Sequence, residues 1–295
     1  MKILILGRDG QVGTALTATL APLGEIAAYG RAGADFELPD DVARLVHRER
    51  PDVIVNAAGY TAVDKAEAEP DLARLVNATT PGRMAEAAAE IGALLVHIST
   101  DYVFDGEKAG PYNEDDPTSP INVYGQTKLG GEVAIAATAA DHLILRTSWV
   151  HSASHANFAG KILELAAQRD ELKVIDDQVG CPTSARLIAD VIGRLIARAD
   201  AGRPVPAGIY HLTTEGETSR YDYAVFIIEQ ARRLGAKLKV ERILPVPSST
   251  FPTPAPRPRN SHLSTHKLRM ALGHDLPSWR DDVIPTIATI VGAMR

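Results

Sequence analysis

Short apolar runs and longer amphipathic stretches alternate along the first half of the chain. Lys2-Ile-Leu-Ile-Leu6 has the length and character of a buried strand, and residues 14–20 continue with helical character. A second strand is expected at 25–29, and a helix opening on acids at about 40–48. A third strand is expected at 52–56, ahead of a long alanine-rich helix over roughly 72–91. The apolar positions of that helix, including Leu75, Met84, Ala88 and Ile91, recur near helical spacing and should face the sheet. Residues 94–101 form a strand that runs into polar residues, a helix begins at Tyr124, and 143–148 is one more strand. Strand and helix in such regular turn imply an α/β fold with a mostly parallel, doubly wound sheet.

After Trp149 the pattern loosens. Helices are expected at 157–169, 186–198, 221–234 and 278–291, and short strands at 172–175 and 209–212. Residues 245–258 hold six prolines and read as an extended loop.

Composition narrows the function classes. The chain has 295 residues, 45% hydrophobic and 23% charged, with a net charge of −6. No Lys/Arg-rich block offers a footprint for nucleic acid. The first apolar run is too short for a signal peptide or a membrane span, so a cytoplasmic protein without membrane partners is expected. Cys181, the single cysteine, has no disulfide partner and no metal-ligand spacing. His47, His151, His155 and His211 show no HExxH or paired spacing, so no metal is expected.

Three stretches carry chemistry. Gly7-x-x-Gly10-x-x-Gly13 sits between strand and helix, where glycines give a tight turn and let backbone approach a pyrophosphate. The spacing differs from the usual G-x-G-x-x-G. At the end of the second strand stands Gly30-Arg31 with no carboxylate, and a guanidinium there suits the extra phosphate of NADP. Ser99, Thr100 and Asp101 lie at a strand's carboxyl end, where open α/β sheets bind ligands. Tyr124 and Lys128 are one helical turn apart, and a nearby ammonium favours the phenolate and eases proton donation. Trp149 is open to two readings, core or pocket wall. The loop Arg257-Pro-Arg-Asn-Ser261 offers guanidinium forks that match phosphate oxygens, or is a surface loop with exposed arginines.

Taken together, the glycine turn, Ser99-Thr-Asp-Tyr-Val-Phe104 and Tyr124-x-x-x-Lys128 resemble the extended short-chain dehydrogenase/reductase superfamily. Asn56-Ala-Ala-Gly-Tyr-Thr-Ala-Val-Asp-Lys-Ala-Glu67, Arg146-Thr-Ser-Trp149 and Thr253-Pro-Ala-Pro-Arg-Pro-Arg-Asn-Ser261 resemble its dTDP-4-dehydrorhamnose reductase family over nearly the whole chain.

The resemblance implies reduction of dTDP-4-dehydro-β-L-rhamnose (dTDP-6-deoxy-L-lyxo-4-hexulose) by a nicotinamide hydride, the last step of dTDP-L-rhamnose synthesis. It implies a Rossmann-type part over 1–150 with 183–206 packed back on it, and a substrate part over 151–182 and 207–295. Tyr124 is then the proton donor, Lys128 the holder of the nicotinamide ribose, and Thr100 a second donor to the carbonyl oxygen. Gly7, Gly10, Gln11, Val12, Gly13, Arg31, Asp35, Phe36, Gly59, Tyr60 and Thr61 fall on the cofactor side. Asp101, Tyr102, Trp149, Arg257 and Asn260 fall on the substrate side. Some members carry an acid where this chain has Gly30, so Arg31 favours NADPH, with NADH possible. Some members form a magnesium-linked dimer through a glutamate where this chain has Ala15, so neither magnesium nor that dimer is expected; a monomer or weak homodimer is. A sugar-nucleotide epimerase and a non-catalytic regulatory subunit of the same fold are the alternatives.

Overall fold

A computed structural model describes residues 1–294. Six parallel strands form the main sheet, in the spatial order Gly208–His211, His142–Thr147, Leu94–Thr100, Val53–Asn56, Lys2–Leu6, Glu25–Tyr29. The chain runs outward from Lys2–Leu6 in one direction and then returns to fill the other, so the order reverses there. The reversal opens a crevice at the strands' carboxyl ends.

Both faces of this sheet are covered, which is why its strands are continuously apolar rather than alternating. Ile3 and Ile5 point to one side, where helices Gln11–Leu20 and Ala185–Asp200 pack with Leu16, Leu20, Ile188 and Ile192. Leu4 and Leu6 point to the other, against helices Pro39–Glu49 and Thr80–Ile91 with Val42, Val46, Met84 and Ala88. A third core lies in the C-terminal part. It gathers Leu163, Tyr223, Ile227, Trp279 and Ile287 from helices Phe158–Gln168, Arg220–Arg233 and Trp279–Ala293. Small sheets stitch this part together: Thr218–Ser219, Val179–Gly180 and Asn260–Ser261 form one, and Arg242–Val246 pairs with Glu171–Ile175.

Three features differ from the pattern reading. Gly208–His211 completes the main sheet instead of joining the C-terminal part. Pro245 lies inside the strand Arg242–Val246, which is tolerated because that strand is paired on one side only. The alanine-rich helix is broken into Pro70–Arg74, a π turn at Leu75–Thr79, and Thr80–Ile91. Pro81 has no N–H to return to the preceding turn, so the ladder must widen or break before it. The π turn carries Asn77 against helix Val123–Ala136, where a Cβ on Gly131 would lie 2.1 Å from the Asn77 carbonyl oxygen.

That contact leaves no room for a methyl group, and backbone cannot move aside cheaply. Gly131→Ala should therefore lose about 1–3 kcal/mol of stability despite the better helix propensity of alanine. A lower urea midpoint with unchanged slope is the expected result.

Candidate active site

A cleft of about 1010 Å³ opens along the crevice. At one end the turn Gly7–Gly10 leads into the helix Gln11–Leu20. Gly7 has φ +84°, and a Cβ there would lie 2.6 Å from the Ala58 nitrogen; a Cβ on Gly13 would lie 2.0 Å from the Gly7 carbonyl oxygen. Gly13 therefore serves the turn's packing and stands back from the cleft, while Gly7, Gly10, Gln11 and Val12 line it. Bare backbone at the start of a helix is suited to a pyrophosphate. Arg31, Asp35 and Phe36 line the cleft beyond the second strand, and Gly59, Tyr60 and Thr61 beyond the third. Arg31 is 77% exposed at the rim, held by Glu37 and 3.9 Å from Asp35. The space, the bare turn and the rim cation together fit a phosphorylated dinucleotide.

The middle of the cleft is built by strand Leu94–Thr100 and helix Val123–Ala136. Asn122 caps the helix by accepting from the Gly125 N–H at 2.8 Å, which fixes the face carrying Tyr124 and Lys128. Thr100, Asp101, Tyr102, Tyr124 and Lys128 all line the cleft. The Tyr102 and Tyr124 rings meet edge to face with centroids 5.6 Å apart. Burial raises Tyr124 above the ordinary phenol range, against a hydrogen bond with Thr100. The expected lowering by Lys128 is absent in the ligand-free chain. The Lys128 ammonium position is turned to the strand instead, 2.6 Å from the Ile98 carbonyl oxygen and 3.1 Å from His97 Nε2.

Below this face runs a buried ion pair that pattern reading missed. Arg146 Nε and Nη2 donate to Glu132 at 2.9 and 2.6 Å, and Ser99 Oγ donates to the same carboxylate at 2.5 Å. Tyr124, Lys128 and Glu132 are spaced at four residues, so the pair anchors the face that carries the chemistry.

The far end of the cleft carries Trp149 and a cation not singled out beforehand, Arg220. Trp149 lines the cleft, in a left-handed backbone conformation of φ +44° that side chains seldom adopt. The Arg220 guanidinium stacks 3.6 Å from the Trp149 ring and 5.0 Å from that of Phe158. Among the described residues it has no carboxylate partner within ion-pair distance. The only local signal was an arginine behind the helix cap Ser219. Arg257, by contrast, is spent on structure: it donates to Asp64 at 2.8 Å and to the Ala255 carbonyl at 2.8 Å, outside the cleft wall. Asn260 likewise donates to the carbonyls of Lys108 and Gly110 at 2.8 and 2.7 Å and does not line the cleft. Cys181 is buried beside the Gly216 carbonyl, a small core residue. Among the described residues, no three His, Cys, Asp or Glu side chains gather as a metal site, and no helix is long and apolar enough to cross a membrane.

Residues 1–291 match the family described as RmlD substrate binding domain. The dTDP-4-dehydrorhamnose reductase of Escherichia coli K12 is 48% identical over 284 residues, 95% of each chain. The chain belongs to the dTDP-4-dehydrorhamnose reductase family. The reductase of Mycolicibacterium smegmatis is 39% identical, over 99% of this chain and 86% of that one. A dTDP-4-dehydrorhamnose reductase structure from Bacillus anthracis, in complex with NADP, superposes with TM-score 0.89 at 33% identity, over 97% of this chain and 98% of that one. The Thermus thermophilus UDP-glucose 4-epimerase, at 20% identity and TM-score 0.80, shares the fold. The reductase family and the Rossmann-type architecture expected from the motifs are thus both found.

Burial pushes Asp101 up to about 6 from an ordinary 3.8, against hydrogen bonds from Ser261 and Thr100. The native chain then binds more protons than the unfolded one between about pH 4 and 6, so stability falls as pH rises through that window. Asp101→Asn cannot titrate. Relative to it, wild type should lose about 2 kcal/mol between about pH 4 and 7. Urea unfolding at stepped pH reads this, and parallel curves for the two proteins would refute it.

Proposed function

We propose that the chain reduces the 4-keto group of dTDP-4-dehydro-β-L-rhamnose to give dTDP-β-L-rhamnose, with NADPH as reductant, in the last step of dTDP-L-rhamnose synthesis. The observation that carries this reading is the meeting of Thr100, Tyr124 and Lys128 in the same cleft as a bare glycine turn. Bound NADPH supplies the hydride. Gly7, Gly10, Gln11 and Val12 hold the pyrophosphate, and Gly59, Tyr60 and Thr61 lie along the cofactor. Arg31 meets the additional phosphate after giving up Glu37.

Thr100, which donates to Asp101 at 3.0 Å, turns its hydroxyl to the bound carbonyl oxygen, where it and Tyr124 stabilise the negative charge that develops. Tyr124 gives its proton to that oxygen, so the ketone gains one hydride and one proton and leaves as an alcohol. Its raised proton affinity keeps the hydroxyl protonated until an alkoxide, a stronger base still, forms beside it. Lys128 holds the nicotinamide ribose. Tyr102 and Trp149 wall the sugar, with Asp101 beside Thr100.

The anionic diphosphate of the substrate falls to Arg220 rather than Arg257, since Arg257 is already paired with Asp64. Arg257 and Asn260 instead shape the loop behind it. The same reading gives the cofactor to the part built on the main sheet and the sugar nucleotide to the C-terminal part. It places the enzyme in the cytoplasm, as a monomer or weak homodimer, with no magnesium requirement.

Turnover is followed by loss of NADPH absorbance with the dTDP-linked 4-keto sugar. Tyr124→Phe should lower kcat by about 10²–10⁴-fold while leaving NADPH affinity unchanged. Wild-type turnover in that variant removes Tyr124 as proton donor, and wild type that fails to consume NADPH sinks the whole reading. Arg220→Met keeps the stacking volume but loses the charge. It should raise KM for the sugar nucleotide by about 10–100-fold with little change in kcat, the equivalent of one charge-assisted contact. An unchanged KM would return the diphosphate to another group.

A further inference from the structure

The groups around Lys128 leave little freedom in where protons can sit. Asn56 and His97 are register partners on adjacent parallel strands, and both are fully buried. The Ala58 backbone N–H donates to Asn56 Oδ1 at 3.0 Å. A backbone amide can only donate, so this contact fixes which end of the Asn56 carboxamide is oxygen. The NH2 end then faces His97 Nδ1 at 2.9 Å. An NH2 group can only donate, so Nδ1 is the bare nitrogen, and the one proton of a neutral imidazole sits on Nε2. Nε2 in turn lies 3.1 Å from Lys128 Nζ.

An ammonium has three N–H groups and no lone pair, so it would meet Nε2–H donor to donor. An amine offers its lone pair to Nε2–H and still donates to the Ile98 carbonyl at 2.6 Å. Moving the imidazole proton to Nδ1 only transfers the clash to Asn56. Protonating the whole ring keeps the Asn56 clash whatever Lys128 carries. One arrangement of protons satisfies every contact, and in it Lys128 is uncharged. We propose that Asn56 and His97 hold Lys128 as a neutral amine in the ligand-free chain, which makes His97 a positioning residue for the lysine. Lys128 becomes an ammonium only when Nζ leaves His97 for groups that can accept, such as the ribose hydroxyls of a bound dinucleotide.

The surroundings agree. Burial brings Lys128 down to about 8, with Glu132 opposing, and the donor-to-donor contact with Nε2–H lowers it further. Burial alone drives His97 below its ordinary range, so the ring stays neutral. On its own helix Lys128 has Tyr124 and Glu132 as titratable neighbours, and Glu132 is already satisfied by Arg146 and Ser99. Asp101 stands on the cleft side beside Thr100. From the other elements packed on this helix, Glu67 accepts from the Val123 N–H at 2.8 Å, Asp64 is paired with Arg257, and Lys65, Asp71, Arg74, Arg83 and Glu86 are exposed. These contacts belong to the ligand-free chain and are the same whichever sugar it reduces.

Nitrogen NMR of the ligand-free wild-type protein reads the ring directly. His97 should show a bare Nδ1 and a protonated Nε2 from about pH 6 to 9. With 13C-labelled lysine, the Lys128 ε-carbon should show the uncharged amine from about pH 7 upward. Asn56→Asp puts an acceptor where the NH2 group was. It should invert the His97 tautomer and tighten proton binding at Lys128 by at least about tenfold, seen also as a shifted alkaline limb of NADP binding. A protonated Nδ1 in wild type, or a Lys128 still mostly charged at about pH 7, overturns the proposal. Both of those readings need no variant, so an Asn56→Asp chain that does not fold leaves the test intact.

Discussion

The cleft depends on the buried contact between Glu132, Arg146 and Ser99. Helix Val123–Ala136 could slide or roll on an apolar sheet face at small cost, because apolar contacts are not directional. A bidentate pair is directional. It ties the helix to strands His142–Thr147 and Leu94–Thr100 at once, within one residue of Thr100 and two turns below Tyr124. A buried pair of this kind adds little net stability over apolar residues of the same volume, but losing either partner strands a charge in the interior and costs about 3–5 kcal/mol. Its role is therefore one of register. Thr100 and Tyr124 come from elements more than twenty residues apart, yet both line the same cleft.

Close approach of backbone is the second constraint, and it works at both ends of the same cleft. The Gly7–Gly13 turn lets helix Gln11–Leu20 begin directly against the sheet, so its amides face the opening. Gly131 lets helix Val123–Ala136 sit against the Asn77 π turn, and Asn77 in turn donates to Thr127 and to the Tyr60 carbonyl and accepts from the Tyr60 N–H. The loop at Tyr60 and this helix are thus joined through one carboxamide. The C-terminal part closes over the dinucleotide end in a similar way. Ser152 donates to Gln11 at 2.9 Å, and His155 Nε2 lies 2.9 Å from the Asp9 carbonyl oxygen.

Local patterns determined much of this protein. The strand–glycine–helix opening, the alternation of elements and the four-residue spacing of Tyr124 and Lys128 all depend on neighbours within a turn or two. Such terms act before any tertiary contact forms, and the chain's family and fold class were legible from them. The boundaries of most helices lay within one or two residues of the periodic stretches, because capping by Asn122, Asn157, Ser184, Ser219 and Ser278 is equally local.

What only the tertiary structure decided is which charge meets which. Arg257 and Arg220 carry the same group, and the family resemblance put Arg257 on the substrate side. Folding paired Arg257 with Asp64 from a distant loop and left Arg220 stacked on Trp149, without an ion-paired carboxylate among the described residues. In the same way His97 read as one apolar-strand residue among others until strand pairing set it between Asn56 and Lys128. The Tyr124 proton affinity also turned on tertiary placement, since burial outweighs a lysine that points at Ile98. Periodicity carries the shape of the backbone because each residue votes on its own neighbourhood. Charge pairing and desolvation depend on distances between segments far apart in the chain, and those distances exist only once the sheet has closed.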